Sequence, residues 1–347
     1  MASYYTDTNL ESAVARFIGS FEGGMNRNPF TEFLKKLYAN ANYLMPDAEM
    51  LKQSSKRAIK AKIMKTIIED ATGTRSCTLS GTYGNGTSTT LNWSSVALTG
   101  AVSRKQHQDN EFALQEAIAK RIADLRKSCL TTIETAAQAW FEANKTTIND
   151  ATSFGTFDAG TNVFEVDPLV VANPGFLNVA EQMLAENRYR GAMNAAVVNG
   201  FTYPQLRYQS QQGAGNAANT AFQFGNWDIS NGLGYSDDNY PNWFAFVFQA
   251  GLVGALSWIP EDYRNPRQGS SVADAIGVKQ SFPDPEIPGL IWAMKSQLTC
   301  ANTVSYNGGD DDEVLNIQLS TDYTFNYAPT EDGSTPIYAI GTETVAP

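Results

Sequence analysis

The stretch Glu111 to Asn144, EFALQEAIAKRIADLRKSCLTTIETAAQAWFEAN, decides the fold class. Leu114, Ile118, Ile122, Leu125, Cys129, Ile133, Ala136 and Trp140 recur at steps of 4, 4, 3, 4, 4, 3 and 4 residues, which sets them on one stripe of a single long helix. The pattern closes on an 11-residue repeat, close to the pitch of an unstrained straight helix. At ~1.5 Å per residue such a rod is ~50 Å long. A helix with one apolar side needs a sheet or lobe laid along that side, so the rest of the chain must supply one. Cys129 lies on the stripe and reads as a packing residue before a reactive one.

N-terminal to the rod, Thr8 and Glu11 have the spacing of a capping box, and Leu10, Ala13, Val14, Phe17, Ile18 and Phe21 fall on one helical face that ends at Gly23 and Gly24. A second helix is expected after Asn28 and Pro29, with Phe30, Phe33, Leu34, Leu37 and Tyr38 on one face. The pattern locates these stripes and not the surface they meet, which is either the chain's own core or a neighbour. From Arg75 to Ser103 the texture changes to Thr, Ser, Val, Leu and Trp around the glycine-rich GTYGNG, the signature of a hairpin with Asn85-Gly86 as its tight turn. A long hairpin with few large apolar residues is not stable alone in water, so it should lie against something else. The basic run Lys52 to Lys65 reads as a solvated helix face, with DNA or a scaffold as the functional alternative.

C-terminal to the rod, Val163 to Val171 reads as a strand ending at Asn173-Pro174. A helix follows from Gly175 to about Tyr189, with Phe176, Val179, Ala180, Met183 and Leu184 inward. Gln205 to Asn242 has the Gly, Asn, Gln and aromatic content of long ordered loops. The uncharged WFAFVFQAGLVGALSWI, Trp243 to Ile259, is nearly long enough to span a membrane. Gln249, Gly251, Gly254 and Ser257 interrupt it and prolines bracket it, so a strand buried on both faces followed by a glycine-rich turn fits better. After Pro283, Pro285 and Pro288 a short helix through Ile291, Met294 and Leu298 is expected, then strands at Val314 to Tyr327 and Ile337 to Thr342. The whole is an α+β chain without an internal repeat.

Of the 347 residues 42% are hydrophobic and 18% charged, enough apolar material for ordered cores and too long a chain for one alone. Cys77, Cys129 and Cys300 are odd in number and unpaired in spacing, which supports neither a disulfide framework nor a zinc knuckle. The opening MASYYTDTNLESAVARF lacks a cationic start followed by an apolar core, so a signal peptide is not expected and synthesis in a cytoplasm is. Net charge is −11, and residues 151–347 carry 7 basic against 21 acidic groups, a balance that argues against a dedicated nucleic-acid reader.

His107 is the single histidine, so a His-based triad or metal cage has little to build on. GTYGNG lacks the Lys-Ser/Thr of a phosphate loop, and Asp310 to Glu313 lacks the alternate spacing and central glycine of a calcium loop. Carboxylates are plentiful, but nothing picks out an acid pair. No catalytic, cofactor-binding or metal-binding residue is therefore assigned, and no enzymatic activity is expected.

Taken in order, these elements resemble the Hong Kong 97-type fold of the major capsid proteins of tailed bacteriophages. DPLVVANPGFLNVAEQML resembles the strand-to-helix entry of the axial domain in that family, and DNYPNWFAFVFQAGLVGALSW its late aromatic, glycine-rich strand. The resemblance implies an N-terminal arm over 1–72, an extended E-loop hairpin over 73–108, and a peripheral P-domain with its spine helix over 109–165. A mixed α/β A-domain over 166–301 and P-domain return strands over 302–347 complete it. It implies a subunit that tiles an icosahedral virion shell around double-stranded DNA and is assembled in the host bacterial cytoplasm. Leu10, Phe17, Phe30, Phe33, Tyr83, Asn85 and Trp93 are the candidate contacts between subunits. Implied partners are further copies in hexamers and pentamers, portal, scaffold and decoration proteins, and packaged DNA bound without sequence specificity. No membrane and no cofactor are implied. The family often carries a scaffolding prelude; no acidic coiled-coil segment is evident here, which suggests a separate scaffold or none. A tail or decoration protein shares the same texture, and a secreted carbohydrate-binding protein is a more distant alternative.

Overall fold

The structure is a computed structural model that describes residues 7–22, 32–40, 44–57, 60–64, 86–103, 111–147, 155–166, 175–186, 193–206, 227–232, 240, 243–264, 278–301, 312–329 and 335–342. Helices α1 (Asp7–Glu22), α2 (Glu32–Ala39) and α3 (Ala48–Gln53) come first. Strands β1 (Lys60–Met64), β2 (Gly86–Thr90) and β3 (Ser94–Ser103) then lead to the rod α4 (Glu111–Ala143). A second group follows: β4 (Gly155–Asp158), β5 (Val163–Val166), α5 (Gly175–Glu186), β6 (Asn194–Val198), β7 (Trp227–Asn231) and β8 (Trp243–Gln249). The chain ends with β9 (Val253–Trp258), α6 (Glu261–Arg264), β10 (Val278–Pro283), β11 (Ile291–Ala301), β12 (Asp312–Tyr327) and β13 (Tyr338–Thr342).

The rod α4 is a single helix of 33 residues, as its spacing predicts. It lies on a five-stranded antiparallel sheet ordered β10-β11-β12-β3, with β9 joined to the far end of β12. Asp322 pairs with Ser95 of β3 and with Trp258 of β9, so those strands occupy opposite edges of β12. Leu315, Ile317 and Leu319 of β12 are buried toward the helix with Ile118, Ile122, Leu125, Cys129 and Ile133. Asn316, Gln318 and Ser320 alternate with them on the other face, which stays partly open to solvent. Toward its C-terminus the buried side of α4 rotates away from the predicted stripe: Leu130, Ala137 and Phe141 are buried, whereas Ala136 and Trp140 are half-buried. The cause is a second packing partner, because there the helix leaves one sheet and meets the other.

That second sheet has six strands in the order β4-β5-β13-β8-β6-β7, with parallel pairs at β13–β5 and β6–β7. Its two faces are both covered. Phe244, Phe246 and Phe248 face α4, while Ala245 and Val247 face Val179, Ala180, Met183 and Leu184 of α5. Burial on both sides explains why WFAFVFQ shows no polar alternation. The long apolar stretch is thus two strands in two sheets, and Gly251, at φ 91°, makes the turn between them in a conformation that side chains disfavour. No helix of the described residues is long and apolar enough to cross a membrane.

Several expectations are corrected. Ile291 to Leu298 is not a helix but part of β11, hydrogen-bonded between β10 and β12. Its 3–4 spacing of apolar residues coincides with an alternation of Trp292, Met294 and Ser296, and pairing on both edges selects the strand. Gly86 is not in a turn but opens β2, opposite Met64; Asn85 lies outside the described residues. The basic run is not one helix face, since Lys52 lies in the last turn of α3 while Lys60 and Lys62 belong to β1. Gln205 to Asn242 is not loop throughout, because β7 lies within it and completes the second sheet. By sheet membership, β4 and β5 belong to the second sheet, and β9 to β11 to the first. Sequence order says nothing of which sheet a strand joins.

Candidate functional site

Asp284 is a hub where the β10–β11 turn meets the rod. Its carboxylate accepts Arg126 Nε at 2.6 Å and Nη2 at 2.8 Å, Trp292 Nε1 at 2.7 Å, and the backbone N–H groups of Glu286 and Ile287 at 2.9 and 2.8 Å. Arg126 Nη2 also donates to Glu286 Oε2 at 2.9 Å. Burial alone would lower the Arg126 pKa; the bonds and charges of Asp284 and Glu286 outweigh it, and the net direction is upward. With its acceptors filled, the site is a structural tie and offers no free base.

Tyr240 forms a second tie at the β4–β5 hairpin. Its hydroxyl donates to Glu165 Oε1 at 2.8 Å and lies 3.2 Å from Thr161 Oγ1, which donates to Asp158 Oδ2 at 2.6 Å. Burial above all, with Glu165 adding to it, raises the phenol pKa, so Tyr240 is neutral at ordinary pH. Cys129 is buried on α4, and burial pushes its thiol up to about 11, out of reach of thiolate chemistry at neutral pH. Among the described residues no cluster of His, Cys, Asp and Glu is placed to hold a metal ion. His107, Cys77 and Asp310 lie outside the described residues.

The remaining candidate is the ribbon of β1 and β2, antiparallel from Lys60↔Thr90 to Met64↔Gly86. Its inner side is seated on the body: Ala61 and Ile63 are buried with Leu44, Met45, Ala48, Leu51, Leu91 and Leu256. A polar clamp fixes the approach to it. Arg264 Nη1 donates to the Lys52 carbonyl at 2.8 Å, its Nη2 donates to the Ser54 carbonyl, and Trp258 Nε1 donates to that same oxygen at 3.1 Å. Arg57 completes the root, paired with Asp322 at 3.3 Å and stacked 5.8 Å from the Trp93 ring centre. The ribbon is rooted on its own subunit, and its solvent side carries Lys60 and Lys62.

Of the seven candidate contact residues, Phe17 and Phe33 are buried in the chain's own core. Phe17 packs edge-on to Phe282 at 5.7 Å, and Phe33 lies 5.3 Å from Phe141, so neither leaves surface for a neighbour. The N-terminal helices therefore meet their own body, helped by Lys36, which reaches Asp228 of β7 at 2.5 Å. Trp93 is half-buried at the ribbon root. Phe30, Tyr83, Asn85 and the side chain of Leu10 lie outside the described residues. The clamp residues Arg57, Trp258 and Arg264 were not legible in the sequence, since nothing in their spacing links residues 200 positions apart.

No family model matches the chain, and no curated protein does. Among solved structures the chain is similar to one from Mycobacterium phage Che8, at 11% identity over 87% of this chain and 90% of that one, with TM-score 0.41. It is also similar to the capsid of Ralstonia phage GP4, at 12% identity over 83% and 84%, with TM-score 0.41. A virus-like particle from Pyrococcus furiosus is similar at 12% identity over 89% and 99%, with TM-score 0.37.

Proposed function

We propose that this chain is a shell-forming structural protein, the major capsid protein of a tailed phage with a Hong Kong 97-type fold, and not an enzyme. The observation that carries the reading is the rooted ribbon that precedes the 33-residue rod in the chain. Met64 and Gly86 hold together the two ends of about 20 residues of chain, longer than a compact domain spends on a plain connection. Sequence order supports it as well: arm, ribbon, rod, a mixed second sheet, and a return through β10 to β12 to the sheet under the rod.

In this reading the body is self-sufficient and the ribbon is the element that reaches neighbours. Each contact is modest, and closed symmetry adds them, because every subunit in a shell holds several others at once. The partners are copies of the chain in hexamers and pentamers, with portal, scaffold and decoration proteins, and the site of action is the virion. An acidic chain suits a container, since a lumen that gripped phosphates strongly would impede packing and release of double-stranded DNA. Negative-stain microscopy of the concentrated protein tests the proposal. Closed shells are expected; tubes or small rings would indicate a tail part, and a monomer at every concentration would refute it.

A further inference from the structure

We propose that Lys36 guards the open edge of the second sheet, fixing helix α2 to β7 so that no strand of another chain can pair there. Among the described residues β7 pairs only with β6, in parallel from Asn194↔Trp227 to Val198↔Asn231, so it ends the sheet. An end strand presents unpaired N–H and C=O groups on its outer side and templates further pairing unless something blunts it. β4, at the other end, is blunted by its own shortness, four residues with a glycine first. β7 has neither lysine nor proline, and β6 beside it is uncharged and buried at all five positions. Adjacent runs of that kind are the pattern of strand-templated aggregation.

The guard comes from 192 positions earlier in the chain. Lys36, in the last turn of α2, donates from Nζ to Asp228 Oδ1 at 2.5 Å and to the Ile229 carbonyl at 3.3 Å. The second bond is the decisive one, because it occupies a main-chain acceptor of the end strand. A lysine on a loose segment would swing free in water. Here the helix is seated by the buried Phe33, Leu34 and Leu37, with Phe33 5.3 Å from Phe141, so the ammonium is held in place. Asp228, the one charged residue of β7, orients it toward the backbone. The two side chains are 27% and 40% exposed, which puts the contact at the rim of the molecule, where an incoming strand would arrive. At that exposure the ion pair itself adds little to stability, which points to blocking rather than to holding the fold together.

The test follows strand-templated association of the full-length protein by thioflavin T fluorescence and by the pelleted fraction as concentration rises. Lys36→Met should lower the concentration for half-association about tenfold with the near-UV spectrum unchanged, since the freed edge gains backbone hydrogen bonds from an added strand. Lys36→Arg keeps the long stem and the donor and should behave as the unmodified protein. Asp228→Asn breaks the ion pair but leaves the bond to the Ile229 carbonyl, and should also behave as the unmodified protein. Shells of native subunits leave the dye dark and are recognised by microscopy, so the result is read whether or not the chain forms them. If Lys36→Met binds the dye and pellets no more readily than the unmodified chain, the inference is overturned. If Asp228→Asn does so as readily as Lys36→Met, the ion pair and not the blocked carbonyl is responsible, and the inference is equally overturned. Should Lys36→Met lose its near-UV signal, Lys36→Ala, the better helix former, takes its place and the same outcomes decide.

Discussion

Arg126 and Asp284 meet fork to fork, with parallel hydrogen bonds of 2.6 and 2.8 Å between side chains that are 2% and 0% exposed. One residue is on the middle of the rod and the other begins the turn between β10 and β11, 158 positions later. The pair fixes where along the sheet the helix lies, which an apolar stripe alone leaves free to slide. Such a pair need not be more stabilising than apolar residues of the same shape, but it penalises every other register.

Removing one partner should therefore be costly. Arg126→Met leaves Asp284 with its charge buried and two bonds lost, and should reduce stability by about 3–5 kcal/mol in urea unfolding. Arg126→Lys keeps the charge without the fork and should lose less. A loss below about 1 kcal/mol for the methionine variant would mean that Asp284 finds other donors.

Trp140 and Phe141 are adjacent on α4 and serve different sheets. Trp140 lies 5.8 Å from Phe325 of the first, while Phe141 lies 5.4 Å from both Phe246 and Phe248 of the second. Phe141 is fully buried and Trp140 half-buried. Phe141→Ala should cost about 3–5 kcal/mol and Trp140→Ala distinctly less, despite the larger ring. Equilibrium unfolding of the two variants gives the order, and the reverse order would show that the first sheet dominates the seating of the helix end.

Gly341 of β13 lies directly under the Tyr240 ring. A methyl group there would sit 2.6 Å from one ring carbon and 2.7 Å from the next. Gly341→Ala should push the ring off Glu165 and cost about 1–3 kcal/mol, seen as a lower urea midpoint with a changed near-UV signal. Tyr240→Phe keeps the packing and loses only the hydroxyl bonds, about 0.5–1.5 kcal/mol.

Asp158 reports the β4–β5 hairpin through pH. The Thr161 hydroxyl first, then the Gly160 N–H, hold its carboxyl below the usual carboxylate range. A lowered folded value means that the contribution is present above the unfolded value of about 3.9 and is lost as pH falls through the folded one. In an NMR titration Thr161→Val should move the Asp158 midpoint upward toward the ordinary value. An unchanged midpoint would assign the shift to the backbone N–H groups and the Tyr240 hydroxyl.

Elements whose burial is local and periodic are legible in the spacing of residues. The rod from Glu111, helices α1 and α5, and the long strand β12 can be read from spacing, because each shows one apolar stripe or one alternating face. The charge asymmetry, acidic over residues 151–347, is likewise read from composition. Other features depend on partners distant in the chain. Whether Ile291 to Ala301 coils or extends depends on hydrogen-bond partners on both edges, and neither strand is its neighbour in a pattern of apolar residues. Likewise Lys60 and Lys62 face solvent because Ala61 and Ile63 are buried with Leu44, Met45 and Leu256, the last of them far away in the sequence. A sequence fixes which side of an element is greasy; what covers that side is a matter of long-range packing.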